Sequence, residues 1–172
     1  MKLYDVIRSA GGGAIVEALA SEAEISRDQA EQALRLLLPD LGRAIRRTAE
    51  SRTGAPAVHA AIQDERYARY LEDPAALHEP AAAADGQRVL MEVLGEEQRA
   101  ELVRGAAAAI NADDDRVRKL LPLVATLAMA ALGQQLRESS PRIPWFGTHP
   151  RDRFDEPLLN ALTAMFGDDE ER

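Results

Sequence analysis

The chain has no cysteine, one tryptophan and few aromatic residues of any kind, 4% of 172. Without cysteine, disulfides, thiolate metal sites and cysteine nucleophiles are excluded. Lysine is nearly absent, present only as Lys2 and Lys119, so arginine carries almost all the positive charge. A run of alternating apolar and polar residues that would read as a strand is also missing. The N-terminus, Met1-Lys2-Leu3-Tyr4-Asp5, lacks the apolar core and small-residue cleavage site of a signal peptide, and the expected location is cytoplasmic.

What the chain does have is alanine, 32 residues within a 46% hydrophobic content. Alanine adds little buried area but is the strongest helix former. The expectation is an all-α fold of closely spaced helices, a multihelical bundle or orthogonal array. The net charge of −8, from 29 acidic and 21 basic residues, is the wrong sign for a polyanion binder. Nucleic acid is therefore not an expected partner. Leu120 to Leu136 carries no charged residue. At about 1.5 Å per residue it falls short of a roughly 30 Å hydrocarbon core. It reads as a helix buried in protein, with no membrane insertion.

Helical spacing predicts a short helix over about 2–9, the Gly11-Gly12-Gly13 connection, and a second helix over about 14–23. Ser26 and Gln29 form a capping-box pair. After them Ala30, Leu34, Leu37, Leu38, Leu41 and Ile45 recur on one face, with a kink or break expected at Pro39. Ala55-Pro56 opens a helix to about Leu71, with Val58, Ile62 and Tyr70 inward. Residues 73–85, rich in alanine and proline, read as a linker. Helices follow over about 86–94 and 96–110. Asn111 is expected to cap a central apolar helix over about 112–137, with Asp113, Asp114 and Asp115 in its first turn.

Two similar halves are expected, about 1–72 and 86–138, within a helical domain over 1–138. Each has an apolar helix, a cap, and then Leu-Leu-Pro: Leu37-Leu38-Pro39 and Leu120-Leu121-Pro122, 83 residues apart. The first carries Asp40, Arg43, Arg46 and Arg47 after its proline and should face water on one side. The second carries only apolar and small residues and should be central.

The glycine cluster, the two Leu-Leu-Pro helices, Val93-Leu94-Gly95 between them and Leu132-Gly133 resemble the bacterial domain-of-unknown-function 937 family, related to YidB-like proteins. The resemblance spans roughly residues 1–137. It implies a multihelical bacterial domain with no established activity and no catalytic residues to carry over. The chain departs from that pattern in the segment around His78-Glu79-Pro80 and in the tail after residue 138.

Candidate chemistry is sparse. His59 reads as a helix-face residue, and His78 and His149 as solvated; none belongs to a pattern typical of a zinc or di-iron site. The three aspartates lack the glycine and distal glutamate of a calcium loop. The glycine triplet has no Lys-Ser/Thr after it and no strand before it. No glycine-flanked serine elbow exists. The sequence therefore suggests no enzyme and no cofactor.

The C-terminal arm, 139–172, holds four of the seven aromatic residues and an acidic end. Its Pro141-to-Gly147 stretch is rigid and apolar, and Asp155 can cap a short helix. Such an arm either folds back over the bundle or docks on a partner. Trp145, Phe146, Phe154, Leu159, Leu162 and Phe166 are the expected contacts, made with another protein or in self-association. The expected role is a non-catalytic interaction or regulatory module. A helical small-molecule or lipid-binding protein is the alternative.

Overall fold

Ser26 accepts the Gln29 backbone N–H at 3.2 Å, and the Gln29 side chain accepts the Ser26 N–H at 3.0 Å. This closed capping box starts the 24-residue helix that begins at Arg27. A computed structural model describes residues 3–139. Among them are eight α-helices and no strand: α1 (Leu3–Ser9), α2 (Ala14–Ala23), α3 (Arg27–Glu50), α4 (Ala55–Gln63), α5 (Arg69–Glu72), α6 (Pro80–Val93), α7 (Glu96–Ile110) and α8 (Asp114–Ser139). Three 3-10 turns join them, at Ala10–Gly13, Glu65–Tyr67 and Pro74–His78. The glycine triplet forms the first of these, with Gly11 and Gly13 in the left-handed region that favours glycine.

Helix α8 is the centre of the bundle. From Leu120 to Gly133 every residue is buried, as befits a helix that is apolar on all sides. The other seven helices all pack against it, α6 most extensively. By length and composition α8 could cross a membrane, yet 78% of its most apolar 18-residue stretch is buried inside the protein. Helix α3 is two-faced instead. Its Ala30, Leu34, Leu37, Leu41 and Ile45 are buried at helical spacing, while Arg43 and Arg47 are exposed.

Several local expectations are corrected. Of the kink or break expected at Pro39, the break is absent, since α3 runs through it. Pro39 is exposed, so the Arg35 carbonyl that it leaves without a helical donor lies on the solvent side. The helix expected over 55–71 ends at Gln63, because Asp64 takes an extended conformation and caps the next turn through Arg66 N–H at 3.0 Å. The linker expected over 73–85 consists of the 3-10 turn Pro74–His78 and the first residues of α6. Pro80 stands at the first position of α6, where a helix accepts proline, and Ala82, Asp85 and Gly86 are buried. Asn111 does not open α8. It closes α7 in a left-handed conformation, φ 53° and ψ 50°. The Asp113 carbonyl accepts the first α8 bonds, from Arg116 and Val117.

The pairs α2–α3 and α7–α8 share one construction. Each first helix ends on a left-handed residue, Glu24 (φ 54°) or Asn111 (φ 53°). The N–H of Glu24 bonds to Ala20 and Ser21, that of Asn111 to Ala107 and Ala108. The next N–H returns to the same carbonyl in both, Ile25 to Ala20 and Ala112 to Ala107. In this register residue n of the first pair corresponds to n + 87 of the second, as Glu24 does to Asn111. The two Leu-Leu-Pro sites, 83 apart, are therefore offset by about one helical turn and are not structural equivalents.

The pairs also clasp each other reciprocally. Gln29 donates to the Ile110 carbonyl (2.8 Å) and lies 3.5 Å from that of Asn111, at the end of α7. Its equivalent, Arg116, donates to the Glu24 carbonyl at the end of α2.

Candidate functional site

Where α3 and α7 run side by side, their outer faces do not close. Leu36, Asp40, Arg43 and Arg47 project at helical spacing from α3, and Gln98, Glu101, Leu102 and Gly105 from α7. Buried Leu37, Leu94 and Ala106 complete the lining, giving an open groove of about 550 Å³. Leu36 is 44% exposed, one of two large apolar side chains so exposed among the described residues. The other is Met91 on α6.

The groove's electrostatics are balanced. Its rim has two arginines, Arg43 and Arg47, and two carboxylates, Asp40 and Glu101. Arg43 is ion-paired with Asp40 along α3. With no excess of either sign, the groove lacks the pull on a phosphate that a stripe of arginines would exert. Its chemistry is that of an apolar strip with a hydrogen-bonding border.

Two other clefts are more polar. One, of about 480 Å³, is lined by Glu24, Asp113, Asp114, Asp115, Arg116, Arg118 and Lys119. Its charges pair internally: Arg118 with Asp115 at 3.0 Å and Lys119 with Glu24 at 3.2 Å. The other, of about 470 Å³, lies between Leu71, Glu72, Gln134 and Arg137. Among the described residues no three His, Asp or Glu side chains converge as a set that could hold a metal ion.

The structure also reveals a buried polar cluster that the sequence reading missed. Tyr70 donates to Asp85 Oδ2 at 2.9 Å and accepts from Arg69 Nη2 at 3.1 Å. Arg88 lies 3.6 Å from the same carboxylate. Burial raises the Tyr70 and Tyr67 hydroxyls above the usual phenol range, and Asp85 adds to the rise at both. Thr126 Oγ1 donates to the Ala82 carbonyl at 2.7 Å, tying α6 to α8. These bonds lock α5 and α6 onto the centre and are structural. Asp85 was assigned to a linker, and no local signal marks it as buried.

The histidines are dispersed. His59 is half-buried on α4, with Nε2 shielded and without a partner. His78 is 2.5 Å from Glu22, a pairing 56 residues apart in sequence and invisible there. His149 lies outside the described residues, as do Trp145, Phe146, Phe154, Leu159, Leu162 and Phe166.

The family model for a bacterial protein of unknown function, DUF937, matches residues 5–135. The chain belongs to this family. No curated protein and no solved structure matches it. The stretch shared with DUF937 runs from α1 into the last turns of α8 and includes both walls of the α3–α7 groove. The arm lies beyond it, so the DUF937 match covers the bundle and leaves the aromatic segment to this chain's own sequence.

Proposed function

We propose that this DUF937 protein is a non-catalytic helical interaction module, and that the α3–α7 groove is its docking surface for an apolar, aromatic-bearing peptide segment. The observation that carries this reading is Leu36, 44% exposed in a groove whose charged rim sums to neutral. Set in an open groove beside Leu102 and between two helices, Leu36 offers an apolar contact of the kind a docked peptide segment uses as an anchor point. The net charge of −8 and the balanced rim argue against nucleic acid as the partner. Burial of α8 inside the bundle speaks against its crossing a membrane, in keeping with the cytoplasmic location we propose. A small-molecule or lipid site would be better served by an enclosed pocket than by this open groove.

Peptide display against the full-length protein tests the reading. Enriched peptides should carry aromatic or leucine anchors, and Leu36→Asp should weaken their binding at least tenfold. Peptides that bind Leu36→Asp as well as the parent chain would refute the groove as the docking surface.

A further inference from the structure

The two helix pairs are built alike and clasp each other reciprocally, so the groove has a counterpart by position. Leu36, Leu102 and Gly105 on the open side correspond to Leu123, Ile15 and Ala18 on the other. There the channel between α8 and α2 is filled, and Leu123, Ile15 and Ala18 are all buried. The filler is the chain that follows α4. Glu65–Tyr67 and α5 pack on α8, and Pro74–His78 packs on α2. Tyr67, Tyr70, Leu71 and Leu77 are buried in doing so.

In the second pair, the segment at the corresponding place in sequence is the C-terminal arm. Glu65-Arg66-Tyr67 corresponds to Asp152-Arg153-Phe154, an acid, an arginine and an aromatic in the same order. Leu71 corresponds to Leu158, and buried Val58 to Trp145. Tyr70 and Pro74 have no match, since Pro157 and Ala161 stand there. The likeness is thus one of apolar shape and not of the Tyr70–Asp85 bond.

We infer that the α3–α7 groove is occupied by this chain's own residues 145–166, laid along α3 and α7 as residues 58–78 lie along α8 and α2. This rests on the groove being a docking surface and names its occupant. An outside peptide would then bind by displacing the arm, which makes the arm a built-in competitor.

The equivalence singles out a contact. His78 Nδ1 lies 2.5 Å from Glu22 Oε1 on α2, and this pair corresponds to Met165 and to Ala109 on α7. The chain has no cysteine of its own, so engineered thiols report cleanly. Full-length protein carrying Ala109→Cys and Met165→Cys should form an intramolecular disulfide at least tenfold faster than one carrying Arg66→Cys and Met165→Cys. Non-reducing electrophoresis and intact mass read the product, and circular dichroism of the reduced chains confirms folding. A dimer linked through 109 and 165 would overturn the inference in favour of a second copy as occupant. Rates no faster than the control would overturn it outright. An Ala109→Cys, Ala164→Cys chain repeats the measurement if the first pair fails to fold. Failure here leaves the peptide-display result standing, so the occupant and the groove are judged separately.

Discussion

Gln29 closes the end of a helix 81 residues away, its Nε2 donating to the Ile110 carbonyl at 2.8 Å. The same side chain accepts the Ser26 N–H at 3.0 Å, so one amide caps the start of α3 and the end of α7. Gln29→Ala should cost about 1–2 kcal/mol, the sum of a lost cap and a lost tertiary bond. Gln29→Glu keeps the acceptor and loses the donor, and should recover only part of that. Urea unfolding monitored by circular dichroism checks both. Equal stability of Gln29→Ala and the parent would show that the clasp contributes nothing.

That clasp marks the boundary of what the sequence reveals. The capping box was legible because Ser26 and Gln29 lie three residues apart and act locally. The bond to Ile110 was not, since it depends on how two helix pairs meet. Asn111 was misread for a physical reason: asparagine suits an N-cap and a left-handed C-cap alike. The linker expected over 73–85 hid the start of α6, because proline suits a connection and the first position of a helix alike. The polar outer face of α3 and the central place of α8 followed directly from periodicity. The groove did not, because it exists only where Leu36 and Leu102 line one gap between two helices.

Two glycines should respond oppositely to alanine. A Cβ at Gly86 would fall 1.7 Å from the Pro122 carbonyl oxygen and 2.7 Å from Thr126 Oγ1, both in the central helix. Gly86→Ala should force α6 off α8 and cost about 3 kcal/mol or more. Gly105 has nothing within 4 Å of its would-be Cβ and lies inside α7. Gly105→Ala should stabilise the chain by about 0.5–1 kcal/mol through helix propensity. Its equivalent is already an alanine, Ala18, buried without strain. Thermal melts of the two variants should move in opposite directions; a shift of the same sign would contradict this packing.

Pro39 offers a third test. It sits on the exposed side of an unbroken helix, where it removes one backbone bond and gains no buried contact. Pro39→Ala should restore the bond to Arg35 and stabilise by about 1–2 kcal/mol, less than the full propensity difference because the freed unfolded chain gains entropy. A destabilised Pro39→Ala protein would mean that a bend at this point is needed for α3 to pack on both α7 and α8.

The buried tyrosines predict a pH dependence of definite sign. Burial lifts the Tyr70 and Tyr67 hydroxyls above their ordinary value of 10.0, so the folded chain holds protons that the unfolded chain releases. Their contribution to stability is fully present below about pH 10 and declines as pH rises through the raised folded values. Tyr67→Phe removes a hydroxyl whose bond to the Asp85 carbonyl is long, 3.5 Å, and should chiefly flatten the alkaline loss. Tyr70→Phe also strips the 2.9 Å donor from buried Asp85, and should lower stability at neutral pH by about 1–3 kcal/mol. Denaturant unfolding of the three chains at pH 7 and at steps above pH 10 separates the effects. If Tyr67→Phe and the parent lose stability equally across the alkaline range, the Tyr67 phenol is not what the fold protects from ionising.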